Sequence, residues 1–432
     1  MGVLPFDILT EIFWFCLPVG DLTDPKVSDL LSITRVCNYW RVTSLNAPRL
    51  WAFISLSDFT ADFHLPMFQL GIERSGTYPL TVALRHGQDA DSRTRDQIYS
   101  ILAQQYHRLK ALTLFLDAYG AQEPIIPTLS SAVPILELVR VVDRGFLEPT
   151  GSDSDTSANT GFWQPICLSP SIKSVIRLDG LNRWHSRAFL DLSMVRWEAL
   201  THLEGAFHYN MEFINFLNGR CCRSLEILII RRMSRMPAKI EYGMISLPRL
   251  RELDICSHNL SFFISHLTLP RLENLTICYA PTTKFYHPSW LDLFQRSSCR
   301  LRSLKMYGAY LNTPDESLHF LLSSSALKDI TSLHMTFQAI TNLTWGSKMS
   351  SPVSFPQLET LNLEVESWTR GRLFGMVDLH CRTPGTHPTL KSASIKVADV
   401  LFVNINTTED WQSFCEDFDS RQNVHYTYIR ET

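Results

Sequence analysis

The 432-residue sequence lacks a strong excess of charge of either sign, and it also lacks a long hydrophobic run. Its 40 lysines and arginines against 43 aspartates and glutamates leave a formal net charge of −3 at pH 7. This balance provides no whole-chain attraction to nucleic acid or to an anionic membrane, because both usually require a strong basic excess. No apolar run approaches the ~18 residues of a membrane-spanning helix. We therefore expect neither a nucleic-acid partner nor a membrane partner.

Closely spaced cysteine pairs and enzyme motifs are missing as well. The ten cysteines are spread widely and none forms a Cys-x-x-Cys pair, so we expect reduced thiols and no metal site. The sequence contains no GxxxxGK[ST] phosphate loop, no HExxH and no GxSxG. Because Asp7 and Glu11 interrupt the first apolar run, a cleaved leader is not expected. These absences predict a cytoplasmic or nuclear protein that is not an enzyme and needs no cofactor.

The first segment, MGVLPFDILTEIFWFCLP, is unusually apolar for the start of a chain. If Pro5 is the first helical residue, the apolar side chains of the predicted helix cover about half of its circumference. Packing on a single neighbour requires a stripe of only ~100°. The helix therefore lies in the middle of a bundle or contributes a face to another protein, and the pattern alone allows both.

A second helical pattern follows, and it ends where Pro48 breaks it. Together the two segments resemble the F-box family, which reads approximately as Leu-Pro, an acidic residue, Ile-Leu, Ile-Phe, Val-Cys, Trp-Arg and Pro-x-Leu-Trp. The matching residues, in order, are Leu4, Pro5, Asp7, Ile8, Leu9, Ile12, Phe13, Val36, Cys37, Trp40, Arg41, Pro48, Leu50 and Trp51. The resemblance covers about the first 55 residues and departs from the family at Asp7, where Glu is commoner.

The resemblance implies three short helices that dock on a Skp-type adaptor of a cullin ubiquitin ligase. The residues that it assigns to adaptor binding are Leu4, Pro5, Ile8, Leu9, Ile12, Phe13, Val36, Cys37 and Trp40. The surplus apolar face of the first helix would then be half of an interface. We expect Trp40 and Trp51 to be mainly structural, closing the small core of the box.

Beyond residue 105, a Leu-x-x-hydrophobic-x-hydrophobic run recurs along the chain. Its first hydrophobic positions are 109, 136, 172, 200, 225, 250, 272, 301, 330, 358 and 390. This spacing is typical of leucine-rich repeats, each a short strand followed by a helix or a looser return. Because the regular asparagine of such repeats is absent, we predict an irregular α/β solenoid, with parallel strands on the concave face and helices or loops on the convex face.

The sequence divides into four predicted regions. These are an F-box at 1–55, a coupling segment with the first solenoid elements at 56–105, a leucine-rich-repeat solenoid at 106–405, and a C-terminal cap or tail at 406–432. In the coupling segment, ERSGTYPLTVAL is similar to a segment that follows the box in fungal F-box proteins, and it predicts a helix, a turn and a strand. Residues 149–161 are almost without apolar side chains and predict a mobile loop.

The function that these features predict is that of a substrate-recognition subunit of an SCF-type ubiquitin ligase. Candidate substrate-binding residues on the predicted concave sheet are Arg231, Arg232, Tyr279, Lys305 and Tyr307. Arginine and tyrosine are frequent binding anchors, although solvated strand residues would give the same pattern. Two alternatives remain: an F-box and leucine-rich-repeat scaffold outside any ligase, and a parallel β-solenoid enzyme acting on polysaccharides. The enzyme would need a secretory leader and clustered carboxylates, and the sequence shows neither.

Overall fold

A computed structural model of the chain describes residues 4–17, 28–57, 61–86, 92–116, 133–143, 166, 168–179, 197–207, 211–233, 243–257, 260–279, 287–309, 324–337, 355, 357–365, 392–397 and 425–427. The chain divides into two compact units. Unit 1 contains Met1–Ala206 and Arg220–Cys222, and unit 2 contains Phe207–Gly219 and Arg223–Thr432. Each unit is an α/β structure built on parallel strands, so the predicted fold class is confirmed at this level.

Unit 1 begins with a cluster of helices. They are α1 (Phe6–Cys16), α2 (Ser28–Val36), α3 (Asn38–Leu45) and the single turn α4 (Pro48–Trp51). Pro5 immediately precedes α1 and is not its first residue, and its carbonyl accepts the first helical hydrogen bond from Leu9 at 3.0 Å. Two longer helices follow, α5 (Ala61–Arg74) and α6 (Ser92–Gln104).

The strands of unit 1 pair in chain order, each parallel to the next. They are β1 (Phe53–Ser57), β2 (Leu80–His86), β3 (Leu109–Leu116), β4 (Leu138–Asp143), β5 (Ser174–Asp179) and β6 (His202–Phe207). Helix α5, a turn and strand β2 are present where the sequence predicted a helix, a turn and a strand. In that turn Gly76 has a φ of 55°, a conformation that favours glycine. Strand β1 crosses the predicted boundary at residue 55 and was not predicted.

Unit 2 continues the pattern of one strand for each repeat, again with parallel pairing. Its main strands are β7 (Ile227–Met233), β9 (Glu252–Ser257), β11 (Asn274–Tyr279), β12 (Ser303–Ala309), β13 (Ser332–Phe337), β14 (Thr360–Val365), β15 (Ser392–Val397) and β16 (His425–Thr427). Two short strands, β8 (Ile245–Ser246) and β10 (Leu267–Thr268), form a separate parallel pair.

The helices of unit 2 lie between its strands along the chain. They are α7 (Met211–Asn218), α8 (Leu260–Ser265) and α9 (His287–Ser297). The segments NMEFINFLNGRCC and SWLDLFQRSSC have apolar residues at helical spacing. The first contains α7, and the second lies largely within α9.

Every repeat marked in the sequence contains a strand that begins at its first hydrophobic position or two residues later. The proline before the strand is explained by a tight turn. In the repeat at 250, the Leu250 amide donates to the Leu247 carbonyl at 3.3 Å, with Pro248 between them. The Leu272 amide makes the same bond to Leu269 at 3.2 Å across Pro270. Proline suits the second position of such a turn because its φ is already fixed at the required value.

Buried side chains form continuous rows because neighbouring strands pair in register. In unit 2 one row joins Leu253 of β9, Leu275 of β11 and Leu304 of β12, all almost fully buried. In β9, β11 and β12 the alternate residues that the structure describes face the other way and remain half-buried or exposed. Each fully buried leucine stabilises the fold by roughly 1.5–3 kcal/mol, so the rows make up the core of the repeat region.

The predicted loop at 149–161 lies outside the described residues. Part of the predicted C-terminal cap is described: β16 pairs in register with Ser392–Ser394 of β15, and so adds one strand to the sheet of unit 2. Among the described residues, no helix is long and apolar enough to cross a membrane.

Candidate functional site

The N-terminal helices of unit 1 surround a small apolar core. Leu9 and Phe13 of α1 are fully buried there with Ile33, Leu50 and Trp51. The rings of Phe13 and Trp40 meet edge to face with 4.9 Å between their centroids. This core uses only one side of α1.

Other apolar side chains of the same helices face away from this core. Ile8, Ile12 and Phe15 have the spacing i, i+4 and i+7, so they share one face of α1. We call the exposed large apolar residues of α1 to α3, together with Leu4 just before α1, the helical apolar surface: Leu4, Phe6, Ile8, Ile12, Phe15, Val36, Tyr39 and Val42. Phe15 is the most open of them, with 83% of its surface exposed. Exposed apolar patches of this kind mark interaction sites in soluble proteins.

Polar contacts fix the helices that carry this surface. The Tyr39 hydroxyl donates to the Leu4 carbonyl at 2.7 Å and so holds α3 against the start of α1. Arg49 forms an ion pair with Glu11, and its guanidinium carbon lies 4.4 Å from the centroid of a Trp14 ring. The helical apolar surface is therefore preformed by contacts within the chain.

The residues that the sequence assigned to adaptor binding fall into two groups. Leu4, Pro5, Ile8, Ile12, Val36 and Cys37 are exposed, whereas Leu9 and Phe13 are buried and Trp40 is half-buried. Leu9, Phe13 and Trp40 belong to the core against which the helices of this surface pack. Four of its members were absent from the predicted set: Phe6, Phe15, Tyr39 and Val42. The helical spacing of Phe15 relative to Ile8 and Ile12 was the signal that could have identified it.

A second candidate surface is the polar face of the sheet in unit 2. The register of β9, β11 and β12 places Asp254, Thr276 and Lys305 in one row across the strands. The next row on that face contains Cys256 and Cys278. Tyr307 continues this row because it pairs with Cys278. We call these two rows the open sheet face.

The five predicted substrate-binding residues are distributed over this part of the chain. Arg231 is exposed, and its Nη1 lies 3.5 Å from the Asp254 carboxylate, an ion pair across neighbouring strands. Lys305 is exposed, and the half-buried Tyr307 ring lies 4.8 Å from the His334 ring, centroid to centroid. The backbones of Arg232 and Tyr279 lie in β7 and β11, while their side chains lie outside the description. Both arginines lie within β7.

The sequence did not predict the pairing of Cys256 with Cys278. These residues are directly opposite one another in β9 and β11, both are half-buried, and their thiols are hydrogen-bonded. The hydrogen bond from Cys256 lowers the pKa of the Cys278 thiol, and the same bond raises the pKa of Cys256. The signal in the sequence was their common place in successive repeats, LDICS and LTICY, which are 22 residues apart.

The chemistry available at these surfaces is mainly that of binding. In the parts of the chain that the structure describes, no group of three or more histidine, cysteine, aspartate or glutamate residues could hold a metal ion. The helical apolar surface offers apolar area, and the open sheet face offers charged groups, a tyrosine and a thiol pair. No family model matches the chain, and no curated protein is significantly similar to it.

Proposed function

We propose that this chain is the substrate-recognition subunit of an SCF-type cullin ubiquitin ligase. In this proposal the helical apolar surface binds a Skp-type adaptor, and the open sheet face binds a protein substrate. The chain would act in the cytoplasm or the nucleus and would perform no bond chemistry itself. The resemblance of residues 1–55 to the F-box family supplies the identity of the adaptor.

One observation carries the adaptor half of the proposal. The first helix buries Leu9 and Phe13 on one side and leaves Ile8, Ile12 and Phe15 exposed on another. A helix that served only a core would not need large apolar side chains on its open face, where they contribute little to folding. Burial of these side chains by a partner would release roughly 1.5–3 kcal/mol for each large aliphatic or aromatic residue.

The substrate half rests on the polarity and accessibility of the open sheet face. Lys305 and Tyr307 of this face offer a mobile cation and a rigid amphipathic ring, and the neighbouring Arg231 offers a forked hydrogen-bond donor. Repeat proteins commonly use such extended strand surfaces for binding. Asp254, next to Arg231, adds a negative charge, so a substrate segment with both signs of charge fits this face better than a purely acidic one.

The adaptor half is tested with the full chain and a purified Skp-type adaptor in an equilibrium binding measurement. We expect a 1:1 complex, and we expect Ile8→Ala combined with Phe15→Ala to weaken it at least tenfold. A tenfold loss corresponds to about 1.4 kcal/mol, which the truncation of two anchor residues at an interface accounts for. Because both side chains are exposed, the thermal stability of the unbound chain should barely change.

The matched control variant carries Ile135→Ala and Phe63→Ala. These residues have the same side chains and are also exposed in unit 1, but they lie outside the helical apolar surface. The control should bind the adaptor as tightly as the parent chain. Equal binding by the Ile8/Phe15 variant and the parent would reject the adaptor half of the proposal, as would a complete lack of adaptor binding by the parent.

A further inference from the structure

The Cys256 and Cys278 pair has a geometry that neither the repeat fold nor the proposed binding function requires. The two residues occupy the same position of successive repeats and are direct partners in the parallel pairing of β9 with β11. Both side chains lie on the open sheet face, opposite the buried residues Ile255 and Ile277. Two thiols are thus held side by side on a surface that solvent reaches.

The spacing of parallel strands makes this pair suitable for a covalent bond. Neighbouring strands lie about 4.7–4.9 Å apart, and Cα atoms joined by a disulfide are usually about 4.4–6.8 Å apart. In-register side chains on one face of a sheet point in the same direction, so the two sulfur atoms lie side by side on that face. Because Cys256 and Cys278 are direct partners in the register of β9 and β11, their side chains lie next to one another.

The surroundings favour a reactive thiolate at Cys278. The hydrogen bond from the Cys256 thiol lowers the pKa of Cys278, and the nearby Arg231 guanidinium acts in the same direction, while partial burial and the Asp254 carboxylate oppose the shift. The same hydrogen bond, burial and Asp254 raise the pKa of Cys256. One thiol of the pair is therefore the better nucleophile, and its neighbour is placed to resolve the product.

We propose that Cys256 and Cys278 form a redox modification site, in which a hydroperoxide oxidises the two thiols to a disulfide across strands β9 and β11. In the first step the Cys278 thiolate attacks a peroxide oxygen, the O–O bond breaks, and a sulfenic acid forms at Cys278. With hydrogen peroxide, the departing hydroxide takes up a proton and becomes water. In the second step the Cys256 sulfur attacks the Cys278 sulfur, the S–O bond breaks, and a second water leaves with the proton from Cys256. The two thiols lose two electrons, and the peroxide is reduced to two waters.

The modification would change the binding surface without changing the core. A disulfide removes two thiol hydrogens next to Arg231 and Tyr307 and fixes the two strands to each other at that row. The proposal does not depend on what the open sheet face binds, because the chemistry requires only the two cysteines and the oxidant. A substrate that contacts this row would bind the oxidised and reduced chains differently.

The chain allows a direct test by peptide mapping. Trypsin cleaves after Arg251, Arg271 and Lys284, so the two cysteines fall in different peptides, 252–271 and 272–284, each with a single cysteine. The purified full chain is treated with hydrogen peroxide, its remaining thiols are blocked with N-ethylmaleimide, and it is digested without reduction. We expect the two peptides joined, with a mass two hydrogens below their sum, and we expect dithiothreitol to separate them.

Single variants separate the roles of the two sulfur atoms. Cys256→Ser should abolish the linked peptide and leave a sulfenic acid at Cys278 that dimedone traps. Cys278→Ser should abolish both the link and the trapped product. Cys299→Ser serves as the matched control, because Cys299 is buried in a neighbouring part of unit 2, and the link should form in it as in the parent chain.

Two results would overturn the proposal. One is the absence of the linked peptide at a peroxide dose that oxidises the exposed Cys16 of the same sample. The other is an equal yield of linked peptide when the chain is oxidised in denaturant, since the sheet would then have no part in bringing the thiols together.

Discussion

At the residue scale, Arg108 shows how a charged side chain can serve the fold of unit 1. Its side chain is almost fully buried, and it donates to the Ile72 carbonyl at 2.9 Å and the Ser75 hydroxyl at 3.0 Å. It also donates to the Tyr78 carbonyl at 3.2 Å and to the Gln105 side chain at 2.8 Å. Burial lowers the pKa of the guanidinium, which nevertheless stays charged at neutral pH. The planar guanidinium group of Arg108 thus links the end of α5 and the turn after it to the start of β3.

We predict that Arg108→Met destabilises unit 1 by roughly 2–4 kcal/mol. The substitution keeps much of the apolar volume but removes the Arg108 donor from the Ser75 hydroxyl and the Tyr78 carbonyl, and each such loss typically costs about 1–3 kcal/mol. The Ile72 carbonyl keeps a hydrogen bond from the Ser75 hydroxyl at 2.9 Å. Urea unfolding of the two proteins measures the difference. The control is Arg302→Met at an exposed arginine. Its free energy of unfolding should stay within about 0.5 kcal/mol of that of the parent chain. Equal effects of both substitutions would contradict the role given to Arg108.

At the element scale, the strands of the repeats were predictable, and several other elements were not. The strands were predictable because the same buried positions recur in successive repeats, as at Leu253, Leu275 and Leu304. Strand β1 has no such support, since it is a five-residue segment outside the repeat spacing. Strand β16 is only three residues long and is held by its pairing with β15, which no local pattern encodes.

Helix α9 illustrates how a return segment is fixed to its neighbours. Arg296, in its last turn, donates to the Leu267 carbonyl of β10 at 2.7 and 2.9 Å and to the Ile264 carbonyl of α8 at 3.1 Å. The adjacent Ser297 hydroxyl accepts from the buried Leu269 amide at 2.9 Å. Two successive side chains of α9 therefore satisfy backbone groups of the preceding repeat.

We predict that Arg296→Ala lowers the stability of unit 2 by roughly 1–3 kcal/mol. The reason is that the carbonyls of Leu267 and Ile264 lose charged donors in a partly buried place. Chemical denaturation of the variant tests this expectation. The adjacent exposed Gln295→Ala provides the comparison and should have little effect. A midpoint for Arg296→Ala equal to that for Gln295→Ala would show that these hydrogen bonds add no net stability.

At the scale of the whole molecule, the sequence predicted an apolar helix surface and a polar sheet surface, but it did not predict all of the residues that form them. The sequence indicated that α1 has more apolar residues than packing on one neighbour requires. Which of these side chains are exposed depends on how α2, α3 and α4 pack around Phe13 and Leu9. The sequence predicted the strands of the open sheet face, but the contacts of Arg231 with Asp254 and of Cys256 with Cys278 depend on register between repeats. Register is set by the paired backbones and the aligned buried rows, so these contacts follow only once the repeats are placed side by side.

The repeat architecture also predicts how a local defect spreads through the molecule. In a solenoid each repeat contacts only its neighbours, so the loss of one core side chain should be felt mainly in the adjoining strands. We predict that Leu275→Ala, in the buried row of β11, costs about 2–5 kcal/mol locally because it leaves a cavity between Leu253 and Leu304. Amide hydrogen exchange should then speed up by about 30-fold or more in β9, β11 and β12, because the free energy of local opening falls there by about 2 kcal/mol or more. In the same experiment β3 and β4 of unit 1 should exchange as in the parent chain. Uniform acceleration across all strands would show instead that the chain opens as one cooperative body, in which case the repeats would not be independent units of stability.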